Sequence, residues 1–205
     1  MLNKGYLIAI EGIDGSGKTT IAKRIVEWLS MRNISALYTS EPTKSPIGLL
    51  IKEKIISAET RQDARIEALL FAADRLWHVI NEILPALSKS NVVVTDRYYF
   101  SSIAYQGALG APISWIREIN KFAPKPDLSI YIDITPEEAI RRKRKQGDVK
   151  KLFENIEYLS RVRKIYLDLV SNGELTLISG MNPLEKVVDE ALALVRKLLF
   201  PRGSF

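Results

Sequence analysis

The apolar run Tyr6-Leu7-Ile8-Ala9-Ile10 passes directly into Glu11-Gly12-Ile13-Asp14-Gly15-Ser16-Gly17-Lys18-Thr19-Thr20, and this junction constrains the fold more than any other part of the chain. A buried strand that turns through a glycine-rich loop into a helix is the opening unit of a parallel α/β sheet. Gly12, Gly17, Lys18 and Thr19 satisfy the spacing G-x-x-x-x-G-K-[ST]. Glycines let successive backbone N–H groups curl inward around phosphate oxygens, and the helix that follows turns its positive end to the same anion. Lysine supplies a mobile charge for the outer phosphates, and the Thr19 hydroxyl is suited to Mg²⁺. The pattern continues into an amphipathic run, Ile21, Ile25, Val26 and Leu29, so it reads as a nucleoside triphosphate site in its strand-to-helix setting.

Further strands are expected at Ala36 to Ser40, Val92 to Thr95, Leu128 to Asp133 and Leu175 to Ile178. Helical periodicity separates them, at Thr19 to Met31, Pro46 to Ile56, Arg61 to Ser88, Ile113 to Phe122, Pro136 to Lys145, Leu152 to Asn172 and Pro183 to Leu199. Pro85 is expected to kink or end the third helix. The alternation predicts a doubly wound parallel sheet with helices on both faces. In such sheets ligands lie beyond the carboxyl ends of the strands, so Asp14, Glu41-Pro42-Thr43, Asp96-Arg97, Asp133 and Ser179-Gly180 become the candidates.

With 46 % hydrophobic and 26 % charged residues over 205 positions, the chain has the make-up of a single soluble domain. It shows neither a run long enough to span a bilayer nor a signal-peptide hydrophobic region, so a cytoplasmic protein with no membrane partner is expected. Cysteine is absent, which excludes disulfides, thiolate metal sites and thiol nucleophiles. The net charge of +6 is concentrated in Arg141, Arg142, Lys143, Arg144, Lys145, Lys150 and Lys151. A local cluster of this kind suits a cap over a phosphorylated ligand better than a nucleic-acid track.

Asp96-Arg97 places a carboxylate able to hold Mg²⁺ next to a guanidinium able to clamp a second phosphate, which points to a phosphorylated acceptor. A nucleoside monophosphate is already substantially ionised at neutral pH, so no general base is required. The one histidine, His78, falls inside a helical segment among Trp77, Val79 and Ile80 and is read as structural. A switch GTPase would carry N-K-x-D, whereas Asn120-Lys121 is followed by Phe122-Ala123.

Asp96-Arg97-Tyr98-Tyr99-Phe100-Ser101-Ser102-Ile103-Ala104-Tyr105-Gln106-Gly107 resembles the D-R-Y/H-x-x-S-x-x-A-Y-Q-G signature of the thymidylate kinases, within the nucleoside monophosphate kinases. The phosphate loop, Glu41-Pro42-Thr43, Leu70-Phe71-Ala72-Ala73-Asp74-Arg75 and Asp133-Ile134-Thr135-Pro136-Glu137 fall in the family's order and spacing, over nearly the whole chain. The resemblance implies a five-stranded sheet of order 2-3-1-4-5 with a short basic lid at about residues 142–153, and ATP-dependent phosphorylation of thymidine monophosphate to the diphosphate with Mg²⁺. It implies ATP binding by Gly12, Asp14, Gly15, Ser16, Gly17, Lys18, Thr19, Thr20 and Arg142, metal binding by Thr19 and Asp96, and catalysis by Lys18, Asp96, Arg97, Arg142 and Arg144.

For the acceptor, the resemblance implies that Phe71 stacks on the base and Arg75 bonds its edge. Arg97 would take the acceptor phosphate, Asp14 the sugar 3′-hydroxyl, and Tyr105 would lie against the deoxyribose. Glu41, Ser102 and Gln106 complete the implied set. Some relatives carry an arginine where Gly15 stands, so here the lid arginines become the candidates for the transferring group. The lid departs from many relatives in having Leu152 where they carry arginine; Lys150 or Lys151 is expected to compensate, with Glu154 orienting a charge. A homodimer and no nucleic-acid partner are implied. A kinase for another pyrimidine monophosphate (deoxyuridylate, uridylate or cytidylate), or a P-loop switch or nucleic-acid-associated NTPase, remains the alternative.

Overall fold

Along β1 (Tyr6–Glu11) the side chains alternate, and both faces are covered. Ile8 and Ile10 join one apolar cluster, whereas Leu7 and Ala9 join another. A strand buried on both sides reads as a continuous apolar run, which is why this one stands out in the sequence. The computed structural model of the protein describes residues 4–56, 63–145 and 156–201. Around β1 it places β2 (Ala36–Ser40), β3 (Val92–Asp96), β4 (Leu128–Asp133) and β5 (Thr176–Ser179) in a parallel sheet of order β2-β3-β1-β4-β5, as expected.

On one face α1 (Lys18–Ser30) and α9 (Leu184–Leu199) pack Ile21, Ile25, Leu29, Val188 and Val195 onto Ile8, Val94, Ile130 and Ile178. Each such side chain, removed from water, stabilises the fold by roughly 1.5–3 kcal/mol. The opposite face carries α3 (Ala64–His78), α4 (Leu84–Ser88), α5 (Tyr99–Ala108), α6 (Ile113–Ile119) and α8 (Ile156–Ser171). Shorter α2 (Pro46–Ile51) follows β2, and α7 (Pro136–Lys145) follows β4.

Helix α5 escaped the sequence reading, and its burial is the reason. Phe100, Ser102, Ile103, Ala104 and Gln106 are all nearly inaccessible, so this helix has no polar face to generate a 3.6-residue alternation. The expected disturbance at Pro85 takes the form of a π-helical turn, Val79–Ile83, after which α4 carries the helix on. Proline lacks an N–H and crowds the carbonyl four residues back, and one wide turn accommodates both defects. Helix α6 ends at Ile119, three residues short of the expected Phe122.

Registers bring the functional strand ends together. Ile10 is level with Asp96, Glu11 with Tyr131, Ser40 with Asp96, and Asp133 with Ser179. The loops leaving β1, β2, β3 and β4 therefore open on one edge of the sheet, where ligands of this architecture bind. No helix among the described residues is long and apolar enough to cross a membrane.

Candidate active site

The loop between β1 and α1 is shaped by glycines at positive φ, with Gly15 at 85° and Gly17 at 93°. Those values are open to glycine and costly for other residues. At Gly15 a side chain would also meet the Ala139 carbonyl, 2.9 Å from an ideal Cβ, so α7 closes this position to larger residues. Gly17 caps α1, whose first turn carries no acidic residue, leaving its N-terminal end free to attract an anion. Ser16 Oγ is buried in this loop without a hydrogen-bond partner among the described residues.

Three cations converge on Asp14. Arg97 pairs with one carboxylate oxygen, Lys18 Nζ lies 3.5 Å from the same oxygen, and Lys143 Nζ donates to the other at 3.0 Å. Burial works against ionisation of Asp14, but Arg97, Lys18 and Lys143 outweigh it and hold the carboxyl well below its ordinary range. Burial, reinforced by the neighbouring Arg97, lowers the Lys18 ammonium. Asp96 and Glu11 add negative charge near Lys18, but Asp14 alone is paired with Arg97, Lys18 and Lys143 together, an arrangement whose cations suit phosphate oxygens.

Asp96 lies beside Thr19 at the start of α1. One oxygen accepts from the Thr19 hydroxyl; the other is buried and has no hydrogen-bond partner among the described residues. A carboxylate beside a hydroxyl is a hard oxygen set that fits Mg²⁺, an ion that commonly takes one or two protein carboxylates and completes its shell with phosphate and water. Among the described residues no group of three or more acidic or histidine ligands could hold a metal by itself.

Arg97 adopts φ 75°, an uncommon conformation for a residue with a Cβ. Its surroundings enforce it: the Arg97 N–H donates to the Ile10 carbonyl at 3.0 Å, the Thr95 hydroxyl to the Arg97 carbonyl at 2.8 Å, and the Tyr98 N–H to Glu11 at 2.8 Å. Strain held in this way marks a residue whose aim matters. The guanidinium donates to Ser101 at 3.0 Å and to Tyr105 at 3.3 Å, and lies over the Tyr105 ring. The Tyr105 hydroxyl also accepts the Asp14 N–H at 3.2 Å. Glu11 lies beneath, fully buried, accepting from Ser101 at 2.6 Å and Tyr166 at 2.9 Å.

Of the expected acceptor residues, Phe71 and Arg75 lie on α3 and Ser102, Tyr105 and Gln106 on α5, two helices that pack together. Phe71 is half-buried, whereas Arg75 is among the largest fully buried side chains. Arg75 donates to Glu41 at 2.8 Å, to Asn120 at 2.6 Å, to the Tyr98 carbonyl at 3.2 Å and to Ser102 at 3.2 Å. Glu41 is also bound by His78 at 3.1 Å, whose other ring nitrogen meets Thr39 at 2.7 Å. Asp74 accepts from the Thr43 N–H and the Ser45 hydroxyl at 2.8 Å each, fixing the turn that carries Glu41. Gln106 donates to Glu67 at 3.2 Å.

Arg142 binds the Gly180 carbonyl at 2.8 Å and the Gly15 carbonyl at 3.5 Å, bridging the phosphate loop to the turn after β5. Thr20 lies exposed on the first turn of α1. The Arg144 side chain and Lys150, Lys151, Leu152 and Glu154 lie outside the described residues. Sequence reasoning had not singled out Glu11, Glu67, Ser101 or Lys143. The basic run contains Lys143, but only helix phase tells which of its members turns inward.

The profile of the thymidylate kinase family matches residues 10–191. A probable thymidylate kinase of Pyrococcus abyssi is 43 % identical over 198 residues, covering 94 % of this chain and 97 % of that protein. A probable thymidylate kinase of Archaeoglobus fulgidus is 43 % identical over 194 residues, covering 94 % and 96 %. The thymidylate kinase of Xanthomonas oryzae is 38 % identical over 200 residues, covering 98 % and 87 %.

Proposed function

The chain belongs to the thymidylate kinase family and converts thymidine monophosphate to the diphosphate with ATP as phosphoryl donor, and from that premise we propose how its residues carry the transfer. The reading rests above all on the convergence of Lys18, Arg97 and Lys143 on Asp14, beside an Asp96 oxygen without a hydrogen-bond partner among the described residues. When two phosphorylated ligands enter, these cations exchange Asp14 for phosphate oxygens. Lys18 and the loop amides take the donor, and Arg97 takes the acceptor phosphate. Asp14, released, accepts the 3′-hydroxyl of the acceptor sugar.

The acceptor phosphate needs no base, because its second ionisation lies near ~6. The bond from the γ-phosphorus to its bridging oxygen breaks as a bond to an acceptor phosphate oxygen forms. Protein catalysis is then positioning and charge neutralisation. Thr19 and Asp96 would hold Mg²⁺, which when bound neutralises charge developing on the phosphates. Lys143 reaches the phosphate end of the site, while Arg142 secures the rim near the donor nucleoside; together with Arg144 they belong to a lid at about residues 142–153 within a single kinase unit. Phe71 stacks on the base, Tyr105 packs against the deoxyribose, and Arg75, held by Glu41, offers the base edge a donor now shared with Ser102.

Two broader features belong to the same reading. Ile66, Leu69 and Leu76 on α3 and Ile80 in the π-helical turn that follows, all between 41 % and 56 % exposed, recur at helical spacing and supply an apolar stripe for a homodimer. The setting is cytoplasmic, where both nucleotides are available. A coupled assay of ADP release across thymidylate, uridylate, deoxyuridylate and deoxycytidylate tests the activity: thymidylate is expected to turn over fastest. Faster uridylate or cytidylate turnover overturns the substrate, and ATP hydrolysis without a phosphorylated monophosphate overturns the kinase.

A further inference from the structure

Helices α3 and α5 face each other through two polar rungs. Glu67 meets Gln106, and Arg75 meets Ser102, so the pairs run in opposite order along the two helices. Phe71 stands midway on α3, one turn from Glu67 and one from Arg75. Glu67 is 0 % exposed and Gln106 is 2 % exposed. The Gln106 amide gives its Nε2 to Glu67 Oε2 at 3.2 Å, and its Oε1, buried, has no hydrogen-bond partner among the described residues. A buried carbonyl left unpaired is unfavourable, and it is tolerated where a ligand supplies the missing donor.

An amide is ambivalent: rotated by half a turn, it offers N–H₂ where it offered oxygen. A carboxylate is not, since it accepts and does not donate. With Glu67 behind it, Gln106 cannot turn without setting its carbonyl against a carboxylate. We propose that Glu67 is a positioning residue that locks the Gln106 amide with its oxygen toward the nucleobase, so that the site accepts a base with a ring N3–H and rejects one whose N3 is a lone pair. Thymine and uracil carry that N–H; cytosine carries the lone pair, which would face Oε1. The discrimination is therefore made against cytosine by an acceptor that cannot become a donor, a repulsive element as well as an attractive one. This inference rests on the reading that Gln106 meets the base of thymidylate.

The test is kcat/KM for thymidylate, deoxyuridylate and deoxycytidylate in wild type, Glu67→Gln and Glu67→Met, with thermal unfolding to confirm that each variant folds. Glu67→Gln lets the neighbouring amide face either way, so the thymidylate to deoxycytidylate ratio is expected to fall at least tenfold, chiefly through KM. The thymidylate to deoxyuridylate ratio should stay within about twofold, because both bases carry the same N3–H. Glu67→Met removes the carboxylate at similar volume and should move the ratios the same way. Equal loss for all three substrates would make Glu67 a packing residue and overturn the proposal, as would failure of both variants to fold. A wild-type enzyme inactive on thymidylate would instead refute the functional reading itself.

Discussion

Glu11 lies under the phosphate loop with no solvent access, and its replacement by glutamine gives a sharp test of the electrostatics. Its two oxygens accept the Tyr98 N–H, the Ser101 hydroxyl and the Tyr166 hydroxyl. Burial pushes the carboxyl up from 4.5 to about 6, although Ser101, Arg97, Tyr166 and the Tyr98 amide each pull it back. Because the folded value is raised, the ionisation penalty is absent below 4.5, grows as pH rises through 6, and is complete above it. A rise of about 1.5 units corresponds to roughly 2 kcal/mol. Glu11→Gln keeps the shape, and its amide can give hydrogen to Ser101 or Tyr166 while accepting from Tyr98. Whatever the exchange of hydrogen bonds costs, that cost does not depend on pH. The stability of the variant relative to wild type should therefore rise by roughly 2 kcal/mol from pH 4 to pH 8, most of it between the two ionisation values. Urea unfolding at fixed pH intervals measures this directly. A flat difference, or one that falls with pH, would refute the claim that burial outweighs the donors around Glu11.

Replacing Thr19 with alanine removes the hydroxyl facing Asp96, and kcat should fall about 10²-fold with more Mg²⁺ needed for half-maximal rate; an unchanged magnesium dependence would remove Thr19 from the metal site. Arg97→Lys keeps the charge and loses the fork that reaches Asp14, Ser101 and Tyr105, so kcat/KM for thymidylate should drop about 10²-fold while ATP binding, read by equilibrium titration, changes little. Ile80→Glu puts a charge into the exposed apolar stripe, and sedimentation should show a monomer where wild type is a dimer; a persistent dimer would place the interface elsewhere.

Much of the site was readable because its signals are local. Gly12, Gly17, Lys18 and Thr19 are close in the chain, and Asp96-Arg97 ends a strand that announces itself as Val92-Val93-Val94. The supporting residues gave no such signal. Glu11 and Tyr166 are 155 positions apart, Asp14 and Lys143 are 129 apart, and Glu67 and Gln106 are 39 apart. An acidic residue on a helix looks like a solvated one until the facing helix is known. Arg75 illustrates the same gap: its side chain was readable as a base contact, yet its hold on Glu41, Asn120 and Ser102 emerges only from packing.

The sequence by itself determined the parallel sheet, the phosphate loop and the residues that end the strands, because backbone conformation at glycine and side-chain alternation along a buried strand are properties of neighbours in the chain. Tertiary structure alone decided that α5 is a helix with no exposed face, that Arg97 is held at φ 75° by Ile10, Thr95 and Glu11, and which basic residues of α7 turn toward Asp14. Those outcomes depend on which surfaces meet once the crossovers close, and on desolvation that no short stretch of chain experiences alone.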